Sequence, residues 1–285
     1  MKRGSSHRQE ARGLVIRVVT DNAARGDMIA EHGLSFWIEM EGHAMLFDAG
    51  QGPAFAKNAA GLGLPLMRAE AVVVSHGHYD HTGGLRYLMA CAPKARCFLH
   101  PLARRDRYSR HPDGSLHAIG MPPDVRAGLS ADPTRAVMTE TPTEILPGVW
   151  ATGPIPRRSG EDVGGDFFLD AECRTPDPVL DEQALWIETR GGIVVLLGCG
   201  HAGVVNTLDH ISALAGTTSF LAVLGGMHLR RASGERLELT LRAFERYGVR
   251  RVIPGHCTGA AAVAAFRGCF GERCADGAAG SAHYF

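Results

Sequence analysis

The stretch Val72-Val73-Val74-Ser75-His76-Gly77-His78-Tyr79-Asp80-His81-Thr82-Gly83-Gly84 decides how this chain is read. An apolar run of strand length leads into a loop with four potential metal ligands in six positions, and a glycine pair then opens a segment of helical length. His76 and His78 are two apart in extended chain, so their imidazoles point to the same side and can share one cation. Asp80 and His81, at the turn into the helix, can face a second. A lone histidine is most simply a hydrogen-bonded or exposed side chain; a cluster this dense calls for a metal. Imidazole and carboxylate suit zinc, iron or manganese, and a set without thiolate has no special claim on Cu(I) or an iron–sulfur cluster.

Outward from this loop the chain alternates short apolar runs with segments of helical length. Strands are expected over 14–19, 34–40, 44–47 and 71–74, then over 185–189, 193–197, 220–224 and 252–253. Helices are expected over 53–62, 84–91, 204–215, 235–247 and 259–267. The mixture defines an α+β (α/β) fold. Residues 101–133 and 154–178 are rich in Pro, Gly, Arg and Asp with weak periodicity, and read as long loops or lids inserted into a single domain spanning 14–285 after a flexible tail at 1–13.

The 285 residues allow one substantial core or two tightly joined halves. Thirty Lys and Arg balance thirty Asp and Glu, so no global field draws the chain to nucleic acid or anionic lipid, and neither partner is expected. The apolar runs stop far short of the roughly 18 residues that span a membrane. The polar, basic first twelve residues lack the apolar core of a secretory signal. Seven cysteines form an odd set without a CxxC pair, which argues against a disulfide framework and for a reducing cytoplasm. Assembly into a homo-oligomer is left open.

The HxHxDH pattern after an apolar strand resembles the signature of the metallo-β-lactamase superfamily. Phe47-Asp48-Ala49-Gly50 resembles that family's DxG turn, whose Asp supports the metal loop from behind. The resemblance implies that His201, in Gly198-Cys199-Gly200-His201-Ala202-Gly203, completes a first site with His76 and His78. It likewise implies that His256, in Pro254-Gly255-His256-Cys257-Thr258-Gly259, completes a second with Asp80 and His81. The implied architecture is a four-layer αββα sandwich, two mixed β-sheets flanked by helices, with the ligands at one edge between the sheets. The implied cofactors are two divalent metal ions, zinc first, with iron or manganese as alternatives. Residues 198–203 also spell GxGxxG, but the acidic residue that a dinucleotide site needs about 20 positions on is replaced by Gly225-Gly226, so no nucleotide cofactor is expected. Thr258 is a candidate cap for the helix that follows. Cys199 and Cys257 read as small buried thiols rather than ligands.

The sequence departs from the family after the third His. Most members place there an Asp that bridges both cations; here Leu224-Gly225-Gly226-Met227-His228 offers His228 instead. A neutral imidazole presents one lone pair and cannot bridge as a carboxylate does, so His228 either binds one metal or lies just outside the shell, and a mononuclear site is the alternative. Two dications, Asp80 and a bridging hydroxide leave about two positive units, which favours an anionic small-molecule substrate. Arg230 and Arg231 follow His228 directly and, with Arg104, Arg105, Arg107 and Arg110, are candidate anion ligands. The blocks SHGHYDHTGG, LGCGHAGVVNT, GGMHL and PGHCTG most resemble the branch labelled 7,8-dihydropterin-6-methyl-4-(β-D-ribofuranosyl)-aminobenzene-5′-phosphate synthase. The resemblance implies a metal-dependent hydrolase acting through a metal-bound hydroxide, with Asp80 and His228 as catalytic groups, or a synthase using the cations as a leaving-group clamp. A low-turnover ligand-binding or sensor protein that keeps the metal site is the competing class. A nuclease lacks the length for a clamp domain, and a flavodiiron role is disfavoured by His78, where that group carries Glu.

Overall fold

In the computed structural model, which describes residues 13–111 and 113–285, the apolar runs become the strands of two large mixed sheets. The tail expected at 1–13 lies, except for Gly13, outside the described residues. β1 (Val15–Thr20), β2 (Ser35–Met40) and β3 (His43–Phe47) form an antiparallel meander. After α1 (Pro53–Gly61), β4 (Ala71–Val73) lies parallel to β3. The short α2 (Tyr79–Thr82) and α3 (Leu85–Cys91) lead to β5 (Arg96–Leu99), parallel again. The hairpin β6 (Tyr108–Arg110) and β7 (Leu116–Ala118) and the helix α4 (Pro123–Ala131) precede β8 (Ala136–Met138), which pairs with β5. The second sheet takes β9 (Thr143–Leu146) and β10 (Val149–Ala151), skips β11 (Phe167–Phe168), and continues with β12 (Leu185–Thr189) and β13 (Gly192–Leu197). α5 (Val204–Ala215), β14 (Phe220–Gly226), α6 (Gly234–Arg246), β15 (Arg251–Gly255), α7 (Ala260–Phe270) and β16 (Ala282–Tyr284) complete the chain.

The strand orders are β16-β1-β2-β3-β4-β5-β8 and β15-β14-β13-β12-β10-β9. Three apolar layers follow from side-chain alternation along these strands. Phe36, Ile38, Phe47 and Val73 of the first sheet meet Val149, Leu185, Val194 and Leu224 of the second in a core between the sheets. Trp37, Leu46 and Val72 face the other way, onto Phe55, Leu85 and Val125 from α1, α3 and α4. Val195, Val223 and Val252 turn outward onto Leu208, Phe244 and Phe266 from α5, α6 and α7. The result is the four-layer αββα sandwich. Strands buried on both faces explain why β13 and β14 read as unbroken apolar runs rather than alternating ones.

Residues 101–133 are not a long loop. They fold into the β6–β7 hairpin and α4, whose Val125 and Leu129, one helical turn apart, are buried. Strands of three residues and a helix with two buried positions are too short to print a period on the sequence. Residues 154–178 are largely irregular, but β11 within them pairs with β6 to form a third, three-stranded sheet. Thr258 does not cap α7: Gly259 precedes that helix, and the Thr258 hydroxyl donates to Gly255 O at 2.7 Å.

The loops that matter gather at the C-terminal ends of β3, β4, β13, β14 and β15, where parallel pairing aligns the strand ends. On β16, which closes the first sheet, His283 stands opposite Ile16 and is buried. Burial, with Arg251 and Arg25 nearby, pulls its pKa down to about 4. A base whose folded pKa is depressed is protonated more readily in the unfolded chain, so this group destabilises the fold as pH falls from about 6.5 toward 4 and is neutral above that range. Urea midpoints of metal-free protein are expected to fall less steeply over this window in His283→Gln than in wild type.

Candidate metal centre

Asp48 leaves β3 in a left-handed conformation, φ 59°, with its carboxylate fully buried. Its Oδ1 accepts from Ser75 N at 2.7 Å, and its Oδ2 accepts from both Ser75 Oγ and His81 Nδ1 at 2.7 Å. Ser75 Oγ has spent its only proton, so it accepts from His76 Nδ1 at 2.9 Å. These bonds hold a ring proton on Nδ1 of His76 and His81 and turn each Nε2 into the site. His256 is oriented in the same way from another direction: its Nδ1 donates to Asn22 Oδ1 at 2.8 Å and its main-chain N–H to Asp21 Oδ2 at 2.6 Å, both just past the end of β1.

The nitrogens freed by these bonds converge. His76 Nε2 faces His78 Nδ1 at 2.9 Å, and His201 closes the group, with one donor atom of each residue within 4.8 Å of the others. Nearby, His81 Nε2 and His256 Nε2 are 3.3 Å apart, and Asp80 Oδ2 lies 3.6 and 3.5 Å from them. The fold thus brings His76, His78 and His201 together, and beside them Asp80, His81 and His256. Gly77 fits between the first two histidines because a side chain there would strike Ala103 O at 2.1 Å. Its N–H donates to Asp181 Oδ2 at 2.8 Å, which pins the loop.

The residues suit a divalent cation. Both ring nitrogens of His201 are buried without a hydrogen-bond partner among the described residues, a costly state unless something else takes the lone pair. Burial also holds His76, His78, His201 and His256 well below the ordinary histidine range, so they are neutral and ready to ligate. His81 is the exception: burial opposes protonation, but Asp80 and Asp48 outweigh it and push its pKa up to about 9.

His228 follows β14 at φ 48° and packs on His201, ring centroids 4.5 Å apart, with Nδ1 buried and without a hydrogen-bond partner among the described residues. Its donor atom lies within 4.8 Å of those of His201 and Cys199. Arg230 and Arg231 are exposed. Arg107 is no anion ligand: it is buried, paired through Nε with Asp177 at 2.7 Å and through both terminal nitrogens with Asp181. Arg110 is stacked over Phe168 at 5.4 Å.

Several site residues carry no sequence signal. Asp21, Asn22 and Ser75 read as ordinary strand-end residues. His32, whose Nε2 reaches Asp80 Oδ2 at 3.2 Å, is isolated in the chain. Phe167, whose ring lies 5.1 Å from His78 and 5.2 Å from His201, comes from the segment read as a loop. Glu182 accepts from Ala202 N and so holds the His201 turn.

The fold is the αββα sandwich, and a model of the metallo-beta-lactamase superfamily matches residues 29–256: the chain belongs to that family. It is 30% identical, over 81% of its length and 82% of the relative's, to the 7,8-dihydropterin-6-methyl-4-(beta-D-ribofuranosyl)-aminobenzene-5′-phosphate synthase of Methanocaldococcus jannaschii. It is 33% identical to Tm1679, described as a metal-dependent hydrolase of the beta-lactamase superfamily, with a TM-score of 0.78 over 95% of this chain and 98% of that one. YhfI of Bacillus subtilis, at 11% identity and TM-score 0.60 over 96% and 100% of the two chains, shares the fold.

Removing the charge behind two ligands should loosen both groups. Asp48→Asn is expected to weaken zinc binding about 10- to 100-fold, read by competition with a chromophoric chelator, with the far-ultraviolet circular dichroism retained. Because His81 must release its proton on binding, affinity at its group is expected to rise with pH up to about 9 in the same assay.

Proposed function

We propose that this chain is a metal-dependent enzyme acting on a small phosphate- or carboxylate-bearing substrate. The proposed cofactors are two divalent ions, zinc first and iron or manganese after it, one held by His76, His78 and His201 and the other by Asp80, His81 and His256. The observation that carries the reading is the convergence of these donors with the rings of His76, His81 and His256 oriented from behind by Ser75, Asp48 and Asn22. Divalent ions there supply Lewis acidity, lowering the pKa of a coordinated water to about 7 and stabilising charge that develops on a carbonyl or phosphoryl oxygen.

The chain's own residues do the rest. Asp80 orients the attacking water, and His32, its side chain half exposed, holds the carboxylate in place by donating from Nε2 to Oδ2 at 3.2 Å. Phe167 walls His78 and His201 off from bulk water. His228 Nδ1, buried and unpartnered beside His201, hydrogen-bonds the substrate. Arg230 and Arg231, just beyond it, take the anionic group. The name of the Methanocaldococcus jannaschii relative supports a phosphate-bearing ligand and group transfer, and that of Tm1679 supports hydrolysis. We assign the chain hydrolysis on the chemistry of the donor set. The domain is read as one unit over 14–285, and the seven free cysteines support a reducing, cytoplasmic setting.

Metal analysis and a turnover screen with a generic phosphodiester and a lactone test this reading. Wild type is expected to bind metal and to turn over at least one substrate in a chelator-sensitive way, and His78→Ala to fall to the rate of the chelated enzyme. Turnover that survives chelation, or a wild-type protein that binds no divalent ion, defeats it.

A further inference from the structure

Cys199 lies two residues before His201, at the end of β13, and only 5% of it is exposed. Its sulfur stands 3.3 Å from His81 Nε2 and 3.1 Å from His256 Nε2. A ring proton on each Nδ1 is held by Asp48 and Asn22, so Nε2 is the nitrogen that each ring turns toward the sulfur. Asp80 Oδ2, 3.6 and 3.5 Å from the same nitrogens, adds another acceptor. Two imidazole nitrogens, a thiol and a carboxylate oxygen thus face one another around one point, a donor set that suits a cation.

The spacing fits a tetrahedron. With metal–nitrogen bonds of about 2.0–2.1 Å and a metal–sulfur bond of about 2.3 Å, tetrahedral angles put two nitrogens about 3.3–3.4 Å apart and nitrogen and sulfur about 3.5 Å apart. The observed separations, 3.3 Å between the nitrogens and 3.1–3.3 Å to sulfur, match within a few tenths of an ångström. The neighbouring thiol is differently employed: Cys257 Sγ donates to Cys199 O and accepts from His228 N, both at 3.2 Å. A carboxylate cannot stand at the end of β14, since a Cβ on Gly226 would lie 2.4 Å from Gly198 O and 2.8 Å from Cys257 Sγ.

We infer that Cys199 is a thiolate ligand of the second metal ion, completing a His81–His256–Asp80–Cys199 set on the side that faces the first. The sulfur also lies within 4.8 Å of donor atoms of His76 and His201, so it occupies the ground between the two groups where an acidic side chain is missing. A divalent ion deprotonates a coordinating thiol outright, so burial of the free thiol is no obstacle. One more anionic ligand brings the centre from about two positive units to about one, and a soft ligand favours zinc or cobalt over manganese.

The inference rests on the metal-centre reading above, and cobalt substitution separates the two. Wild type loaded with Co(II) is expected to bind two equivalents and to show a near-ultraviolet thiolate-to-cobalt charge-transfer band. Cys257→Ser should keep the band. Cys199→Ser should lose it and bind the second equivalent at least about tenfold more weakly, with the first retained. X-ray absorption on the wild-type zinc protein, which needs no variant, should show one sulfur scatterer at about 2.3 Å. Two bound equivalents with only nitrogen and oxygen neighbours, or a band that persists in Cys199→Ser, overturns the inference while leaving the metal centre intact. A wild-type protein that binds no cobalt overturns both.

Discussion

The buried carboxylate of Asp48 is the constraint on which the centre depends. It lies under the metal loop and takes three hydrogen bonds, two from Ser75 and one from His81. A charge this deep is tolerated only when it is paired and fully hydrogen-bonded. The partners that satisfy it are the groups whose orientation ligation requires: His81 directly, and His76 through Ser75 Oγ. The left-handed backbone at Asp48 is the local strain that aims the carboxylate inward, and Ala49 N, bonded to His81 O at 2.8 Å, helps to hold the turn.

The same point joins the halves of the sandwich. Gly198, at the end of β13, would place a Cβ 2.2 Å from Ser75 Oγ, so only glycine lets the second sheet approach the metal loop of the first. Asp21 and Asn22, beyond β1 of the first sheet, reach across to His256 at the end of β15 in the second. Each group of donors draws on both sheets: His201 joins His76 and His78, and His256 joins Asp80 and His81. A cation bound at the proposed site would therefore be coupled to the packing of one sheet on the other, and the strand ends, rather than the loops alone, set the donor distances.

The fold was legible where elements were long and buried. The unbroken apolar runs of β13 and β14 and the helical segment at Val204–Ala215 come through at the expected places because each carries enough period or hydrophobicity to be read locally. The β6–β7–β11 sheet and α4 did not, since elements of two or three residues, or a helix with two buried positions, leave no pattern. Arg107 shows the same limit at the level of one side chain. In sequence it is one of several arginines in a polar stretch; in the fold it is buried between Asp177 and Asp181, seventy or more residues away.

The sequence by itself determined the donor types and the loops that carry them, because strand-then-ligand-then-helix grammar is written over a few consecutive residues. Imidazoles at 76, 78, 81, 201 and 256 and a carboxylate at 80 needed only local spacing and family resemblance to be picked out. The tertiary structure alone decided which nitrogen each ring presents, that Asn22 and His32 lie against the site, and that Cys199 sets its sulfur within 3.3 Å of two imidazole nitrogens while Cys257 takes the main-chain N–H of His228. Those outcomes depend on hydrogen bonds between residues separated by up to 235 positions, and no local pattern encodes partners that meet only when two sheets close.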